Sequence, residues 1–386
     1  MTESPDSQDC DIIVVGAGMA GASVAAELAD AGLRVALLER ESQPGYHSTG
    51  RSAALYSQTY GPPLIRALTR ASSAWLNEPQ PGATPAPFLH PRDVIYIARA
   101  DQTGALDALQ RTLGPAVAPM AVTELESRVP LLRPGHVAAA LAEASAADID
   151  VHALHQFYLR RFRAAGGTLH GNAGVIGLAR SGGRWRADTA RGVFSAPVVV
   201  NAAGAWADEL ATMAGVRRIG LVPRRRTAVL VEPPRGCDVS GWPMIIDAEE
   251  QFYTKPEAGQ LLISPADETP CPPCDAQPEE LDVAIAIDRF QAAFAMDLRR
   301  IEHKWAGLRS FVTDGEPVAG YAPDSEGFFW LAGQGGYGIQ SVPALARSAA
   351  ALIRNRPLPG DVLDEGASVA ALSPSRASLA RGDGPE

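Results

Sequence analysis

Apolar and polar positions change rhythm several times along the chain. After a polar, acidic start (MTESPDSQDC), Asp11-Ile-Ile-Val-Val15 is a short, β-branched apolar run, the pattern of a buried parallel strand. It enters Gly16-Ala-Gly18-Met-Ala-Gly21, then the helix-forming stretch 22–31, which stops at Gly32. A second strand, 34–39, follows and ends on Glu39. The order is strand, glycine turn, helix, strand, acid.

Beyond residue 41 the pattern loosens. Residues 41–61 read as a polar loop with a short helical stretch near 52–57, and 78–87 (EPQPGATPAP) as a turn-rich crossing between domains. Val94-Ile-Tyr-Ile-Ala98 predicts a strand of a different sheet, and 104–112, 135–145 and 151–165 predict helices. In the last of these Leu154, Phe157, Tyr158 and Phe162 share the apolar face. Strand patterns return at 168–178 and 193–200, the latter running into Asn201-Ala-Ala-Gly204-Ala-Trp206. Further strands are expected at 227–232, 244–247, 261–264 and 306–313, a proline-rich surface loop at 265–280 and a helix at 281–298. Phe328–Ala332 then feeds Gly333-Gln-Gly335-Gly336-Tyr337-Gly338-Ile339 and a small-residue helix at about 341–353.

Two strand-to-glycine-to-helix junctions, at opposite ends of one chain, predict a discontinuous α/β dinucleotide-binding domain of Rossmann type with a second, mixed-sheet α+β domain. The boundaries read from the pattern are 1–87, 148–218 and 304–375 for the first domain and 88–147 and 219–303 for the second. Residues 376–386 are expected to be a flexible tail.

Composition narrows the field. At 386 residues the chain exceeds one ordinary core, and 46% apolar with 20% charged residues excludes a disordered protein. No run approaches eighteen apolar residues, so no membrane span is expected. A formal charge of −10 argues against a nucleic-acid groove. Four cysteines and a start without a basic, apolar leader point to a reducing, cytoplasmic setting. Lys255 and Lys304 are the only lysines, so basic sites rely on arginine forks.

The chemistry starts at the first junction. Gly16 permits the tight turn, Gly18 admits a pyrophosphate to the backbone, and Gly21 lets the helix sit close. The helix N-terminus favours the anion. Glu39, 21 residues past Gly18, can accept the ribose hydroxyls and would repel a 2′-phosphate. A second glycine-rich helix start at Gly335, Gly336 and Gly338 implies a dinucleotide gripped twice. That suits a flavin, whose ring needs holding as well as its diphosphate.

These stretches, with GYHSTGRSAA, WAGLRSF, FYTKPEAG and GQGGYGIQ, resemble the FAD-dependent D-amino-acid oxidase/dehydrogenase superfamily, which includes glycine and sarcosine oxidases. Within it they are most similar to the bacterial D-arginine dehydrogenases. The resemblance implies non-covalent FAD, since no cysteine lies in or near GQGGYGIQ. It implies cofactor contacts from Gly16, Gly18, Gly21, Glu39, Arg40, His47, Ser48, Thr49, Arg51, Ser52, Ala53, Val175, Ala203, Gly204, Trp206, Gly335, Gly336, Tyr337, Gly338 and Ile339. It places Arg226 and Arg309 on the substrate carboxylate, Tyr60 and Tyr253 beside them, and Asp93 where a glutamate would face the far end of the substrate. Leu55 departs from the pattern, standing where the resembled dehydrogenases carry an active-site histidine.

The implied activity is oxidation of D-amino acids, with basic ones such as D-arginine or D-lysine favoured through Asp93 and apolar ones tolerated through Leu55. The products are a 2-oxo acid and ammonia, and the electrons pass on to an unidentified acceptor. A glycine- or sarcosine-type secondary-amine oxidase is the alternative; it would leave Asp93 unpartnered. Cys271-Pro-Pro-Cys274 is a lone CxxC with no partner pair, and His152 and His155 read as surface or interface histidines. Oligomeric state is not encoded in any pattern seen here.

Overall fold

The computed structural model describes residues 7–78, 80, 86–298 and 300–379. Ile12–Val15 is central to a six-stranded sheet ordered Thr168–His170, Val35–Leu38, Ile12–Val15, Val198–Asn201, Phe328–Ala332 and Val318–Tyr321. The first five strands are parallel; the edge strand Val318–Tyr321 is antiparallel. Strand alternation sends Ile12 and Val14 to one face and Ile13 and Val15 to the other. The first face packs on the helices Met19–Asp30, Val151–Ala164 and Val342–Ile353. The second is covered by Trp185, Ala187 and Phe194 of a four-stranded sheet and by the helix Ala207–Met213. Both faces are dry, which is why these strands carry no polar alternation.

An eight-stranded sheet follows the order His303–Phe311, Val222–Val231, Gln260–Ser264, Tyr253–Glu257, Met244–Asp247, Val94–Ala98, Ala139–Glu143 and Ala118–Met120. All its pairs are antiparallel except Met244–Asp247 with Val94–Ala98. One face holds Ile95, Ile97, Val229 and Val231 against Leu125, Val283 and Phe290 of the helices Val122–Arg128 and Glu280–Ala293. The other face packs Val94, Tyr96, Leu141, Met244 and Ile246 against Leu106 of the helix Thr103–Leu113. The fold is thus mixed α/β, with a Rossmann-type parallel sheet and a second, mixed sheet.

Several elements differ from expectation. Residues 135–145 were expected to be helical, but Ala139–Glu143 is a strand, because pairing with Val94–Ala98 outweighs the helix propensity of alanine. Near 52–57 the short element is the strand Leu55–Tyr56, and the helix Pro63–Asn77 follows. The run 193–200 divides at Pro197, which has no N–H for a ladder: Gly192–Ala196 joins the four-stranded sheet and Val198–Asn201 the parallel one. Residues 168–178 divide likewise at the glycine-containing turn after His170. His303–Phe311, expected from residue 304 on the dinucleotide side, pairs along Val222–Val231 in the eight-stranded sheet.

The expected flexible tail is anchored at its start. The side chain of Arg376, 8% exposed, is ion-paired with Asp314 at 2.7 Å; residues 380–386 lie outside the described residues. So does most of the expected crossing at 78–87. Among the described residues no helix is long and apolar enough to cross a membrane.

Candidate active site

At the carboxyl end of Ile12–Val15 the chain turns on Gly16 at φ +99°, where a Cβ would stand 2.4 Å from the Ala202 carbonyl oxygen. A Cβ on Gly21 would come 1.8 Å from the Gly16 carbonyl oxygen, so the helix meets the turn at glycine contact. The buried Glu39 carboxylate caps this turn, accepting from Ala17 N at 2.8 Å and Glu41 N at 3.0 Å. Thr49 Oγ1 accepts from Met19 N at 2.9 Å, joining the 45–51 loop to the helix start.

From this turn a cavity of about 670 Å³ extends to the eight-stranded sheet. It is lined by Gly16, Gly18, Glu39, Arg40, His47, Ser48, Thr49, Arg51, Ser52, Ala53, Val175, Ala203, Gly204, Trp206, Gly335, Gly336, Gly338 and Ile339. In its lining the Arg40 guanidinium lies 4.7 Å over Trp206, and Trp206 meets the His47 ring at 4.6 Å with the planes tilted by 52°. His47 Nε2 is 3.0 Å from Glu41. Arg51 bonds the Ala276 and Ala306 carbonyls and pairs with Asp275, so the 45–51 loop is fastened to the segment 265–279.

Two expected cofactor contacts do not line the cavity. Gly21 lies behind the turn, against Gly16. Tyr337 turns its ring onto Tyr60, at 4.8 Å, and Phe311, at 6.2 Å.

Tyr60, Arg226, Tyr253 and Arg309 converge at the eight-stranded end. Register brings the arginines together: Arg226 pairs with Gly307 and Arg224 with Arg309, making Arg226 and Arg309 diagonal neighbours on one face. Strand alternation turns Arg225 the opposite way, onto Glu279 and Asp282. Arg309 Nη2 donates to Tyr60 Oη at 2.9 Å, and its guanidinium lies 5.5 Å from the Tyr337 and Phe311 rings. Burial opposes its charge, yet Tyr60, Tyr337, Tyr253 and Glu268 hold its pKa above the ordinary arginine value. Arg226 sits 5.9 Å over the Tyr253 ring and donates through Nε to the Asp267 carbonyl at 2.9 Å.

Asp93 is elsewhere. Val94 and Tyr96 face Leu55, Met244, Ile246 and Tyr253, so alternation turns Asp93 with Ile95 and Ile97 to the opposite, helix-covered face. There it accepts from Arg128 Nη2 at 2.6 Å, and it does not line the cavity. The all-apolar run 94–98 showed no alternation from which this could be read. The glutamate lining the eight-stranded end of the cavity is Glu250, exposed in the turn after Met244–Asp247, with the apolar Leu55, Met244 and Ile246 in the same lining.

Three further residues escaped sequence reasoning. His155, expected at the surface, is buried beneath the dinucleotide turn, its Nε2 2.9 Å from the Ala17 carbonyl oxygen, and burial lowers its pKa. Its position at helix spacing beside Leu154 and Tyr158 was the available signal. Glu143 is wholly buried and accepts from Ser57 Oγ at 2.8 Å, Gln58 N at 3.1 Å and Thr59 Oγ1 at 2.5 Å. With Gln340, which bonds Ser57 N and the Tyr60 carbonyl, it fixes the loop that aims Tyr60. Glu268 bridges the two arginines and had no local signature. The Cys271 and Cys274 sulfurs are 3.5 Å apart, packed on the cluster of Ala205, Ala276, Ala306 and Leu308. Among the described residues no three His, Cys, Asp or Glu side chains are arranged to hold a metal ion.

Fold and cavity together define an oxidoreductase built on a dinucleotide turn. The chain belongs to the FAD dependent oxidoreductase (DAO) family, whose model matches residues 11–352. It is 28% identical to the glycine oxidase of Pseudomonas aeruginosa over 363 residues, covering 89% of this chain and 95% of that one. To the D-amino-acid oxidase of Streptomyces coelicolor it is 29% identical over 364 residues, covering 91% and 99%. Among solved structures, glycine oxidase from Geobacillus kaustophilus superposes with a TM-score of 0.81 at 23% identity, covering 96% of this chain and 99% of that one. L-proline dehydrogenase from P. horikoshii does so at 0.79 and 22%, covering 96% and 98%. These likenesses establish a shared fold.

The protein is therefore FAD-dependent, and its donor set suits that group. Close-packed glycines would open the turn to a diphosphate, the buried Glu39 carboxylate lining the cavity would accept the ribose hydroxyls, and the helix Val342–Ile353 follows the second glycine cluster.

Proposed function

We propose that the protein oxidises the α-carbon–nitrogen bond of a D-amino acid, giving an imino acid that water converts to a 2-oxo acid and ammonia. The observation that carries this reading is the convergence of Arg226, Arg309, Tyr60 and Tyr253 at the end of the cavity away from the dinucleotide turn. Bound FAD, held non-covalently, supplies a two-electron acceptor for the hydride that leaves the α-carbon. None of the four cysteines lines the cavity, which supports non-covalent binding.

The chain's own residues bind and orient. Two guanidinium forks fix the plane of the substrate carboxylate and so the direction of its α-hydrogen. Tyr60, bonded to Arg309 Nη2, sets one fork, and the Tyr253 ring beneath Arg226 steadies the other. A substrate amine that enters neutral supplies its own lone pair, so no side-chain base is required.

The lining of the cavity sets the side-chain preference. Preference for basic substrates rested on Asp93, which faces Arg128. Leu55, Met244 and Ile246 favour apolar side chains, while Glu250 is solvated and loses little without a cationic partner. The likeness to the S. coelicolor D-amino-acid oxidase supports the D configuration. The glycine oxidase relative supports a second reading, a glycine- or sarcosine-type amine oxidase.

One steady-state panel tests both: D- and L-amino acids, glycine and sarcosine, with an artificial acceptor and with oxygen alone. D-methionine or D-leucine is expected to rank above D-arginine and above glycine. Turnover confined to glycine and sarcosine would select the second reading; turnover of L-amino acids only would overturn both.

A further inference from the structure

Glu268 lies in the segment 265–279, between the strand Gln260–Ser264 and the helix Glu280–Ala293. One carboxylate oxygen, Oε1, accepts from Arg226 Nη2 at 2.9 Å and from Arg309 Nη1 at 3.2 Å. Oε2 accepts from Arg224 Nη1 at 3.2 Å. Arg226 and Arg309 line the cavity, whereas Glu268 does not: it backs the pair from outside. The arginine side chains are 10% and 12% exposed and that of Glu268 39%, so the two cations face the cavity while their counter-ion keeps contact with water.

The placement of Glu268 is fixed by its neighbour. Asp267 accepts from Thr227 N at 2.6 Å and Thr227 Oγ1 at 3.1 Å, and its carbonyl accepts from Arg226 Nε. Two guanidinium groups on adjacent strands repel each other in a poorly solvated site; a carboxylate shared between them offsets one of the two charges and holds their planes together. Arg224, which bonds the other carboxylate oxygen, does not line the cavity and offers a ligand no fork there.

We propose that Glu268 is a positioning and charge-balancing residue that leaves the Arg226–Arg309 pair one net positive charge, and thereby selects ligands with a single carboxylate over those with two. The inference rests on the reading above, that this pair receives the substrate carboxylate. Without the Glu268 charge the pair would carry two, and a second ligand carboxylate would be attracted instead of being left unpaired.

The test uses the FAD-loaded full chain and two non-oxidisable probes, acetate and malonate, titrated at constant ionic strength and followed by the shift of the visible flavin absorption. Glu268→Gln is expected to improve malonate affinity relative to acetate at least tenfold, and Glu268→Asp to restore the wild-type ratio. Arg309→Met is expected to weaken both probes at least tenfold. A malonate-to-acetate ratio within twofold of wild type in Glu268→Gln overturns the inference, even if both affinities fall together. If Arg309→Met leaves both affinities unchanged, the carboxylate-clamp reading itself fails, and the inference with it.

Discussion

Gly336 lies flat against Arg309: a Cβ built on the glycine would stand 1.9 Å from the arginine Nη2 and 2.0 Å from its Nε. The second glycine cluster thus makes room for the guanidinium at the substrate end as well as lining the cavity. Gly336→Ala should push Arg309 from its place while leaving the first glycine turn intact. We expect kcat/KM per flavin-loaded chain to fall about tenfold to a hundredfold, the scale of a 1 Å misplacement. Unchanged kinetics in a flavin-loaded Gly336→Ala would show that Arg309 is not held by this contact.

Removing the fork is more severe. Arg309→Met loses a buried, charge-assisted contact to the substrate carboxylate, a cost of about 2–3 kcal/mol, or roughly 30- to 150-fold in kcat/KM. Tyr60→Phe deletes the hydrogen bond that sets the fork but leaves the fork itself, and should cost about 1.5 kcal/mol, the low end for a bond to a charged group. Stopped-flow reduction of the flavin by substrate separates the two, and Arg309→Met must be the slower. The reverse order would place Tyr60, not Arg309, on the substrate.

Asp93→Asn should do almost nothing to catalysis. Its partner is Arg128, on the helix-covered face of the sheet, and the pair is partly solvated, so the loss is at most about 1 kcal/mol of stability. The kcat/KM for D-arginine should stay within about twofold of wild type. A selective loss for D-arginine relative to D-methionine would return Asp93 to the substrate site.

His155 gives a pH dependence whose sign can be worked out. Burial lowers its pKa below the ordinary 6.5, the bond to the Ala17 carbonyl opposes that shift, and His152 adds to it. The unfolded chain therefore takes up the proton first as pH falls, so this contribution is whole above about 6.5 and is lost below it, toward the lowered folded value. His155→Gln keeps a donor for Ala17 but cannot titrate. Melting temperatures measured from pH 7.5 to 5 should fall less steeply in the variant, and parallel curves would remove His155 from this role.

The glycine turn, the acid at Glu39 and the strand–helix–strand order were legible in the sequence because each is made by contiguous residues under local steric rules. Gly16 needs positive φ, Gly21 tolerates no Cβ, and both demands appear as composition within one short window. The substrate end was only partly legible. Arg226 and Arg309 are more than eighty residues apart, and the register of two antiparallel strands made them neighbours, with Glu268 bridging them from a third segment. Asp93 shows the limit most plainly: a strand buried on both faces has no polar alternation, so the side of the sheet on which its flanking acid falls is decided by what packs on each face. His155 was hidden for a related reason. Its helix was legible from the 3.6-residue period, but only docking of that helix under the Ala17 carbonyl turned an ordinary polar position into a buried one. Local chemistry determined where the dinucleotide goes; packing and strand register decided what stands opposite it.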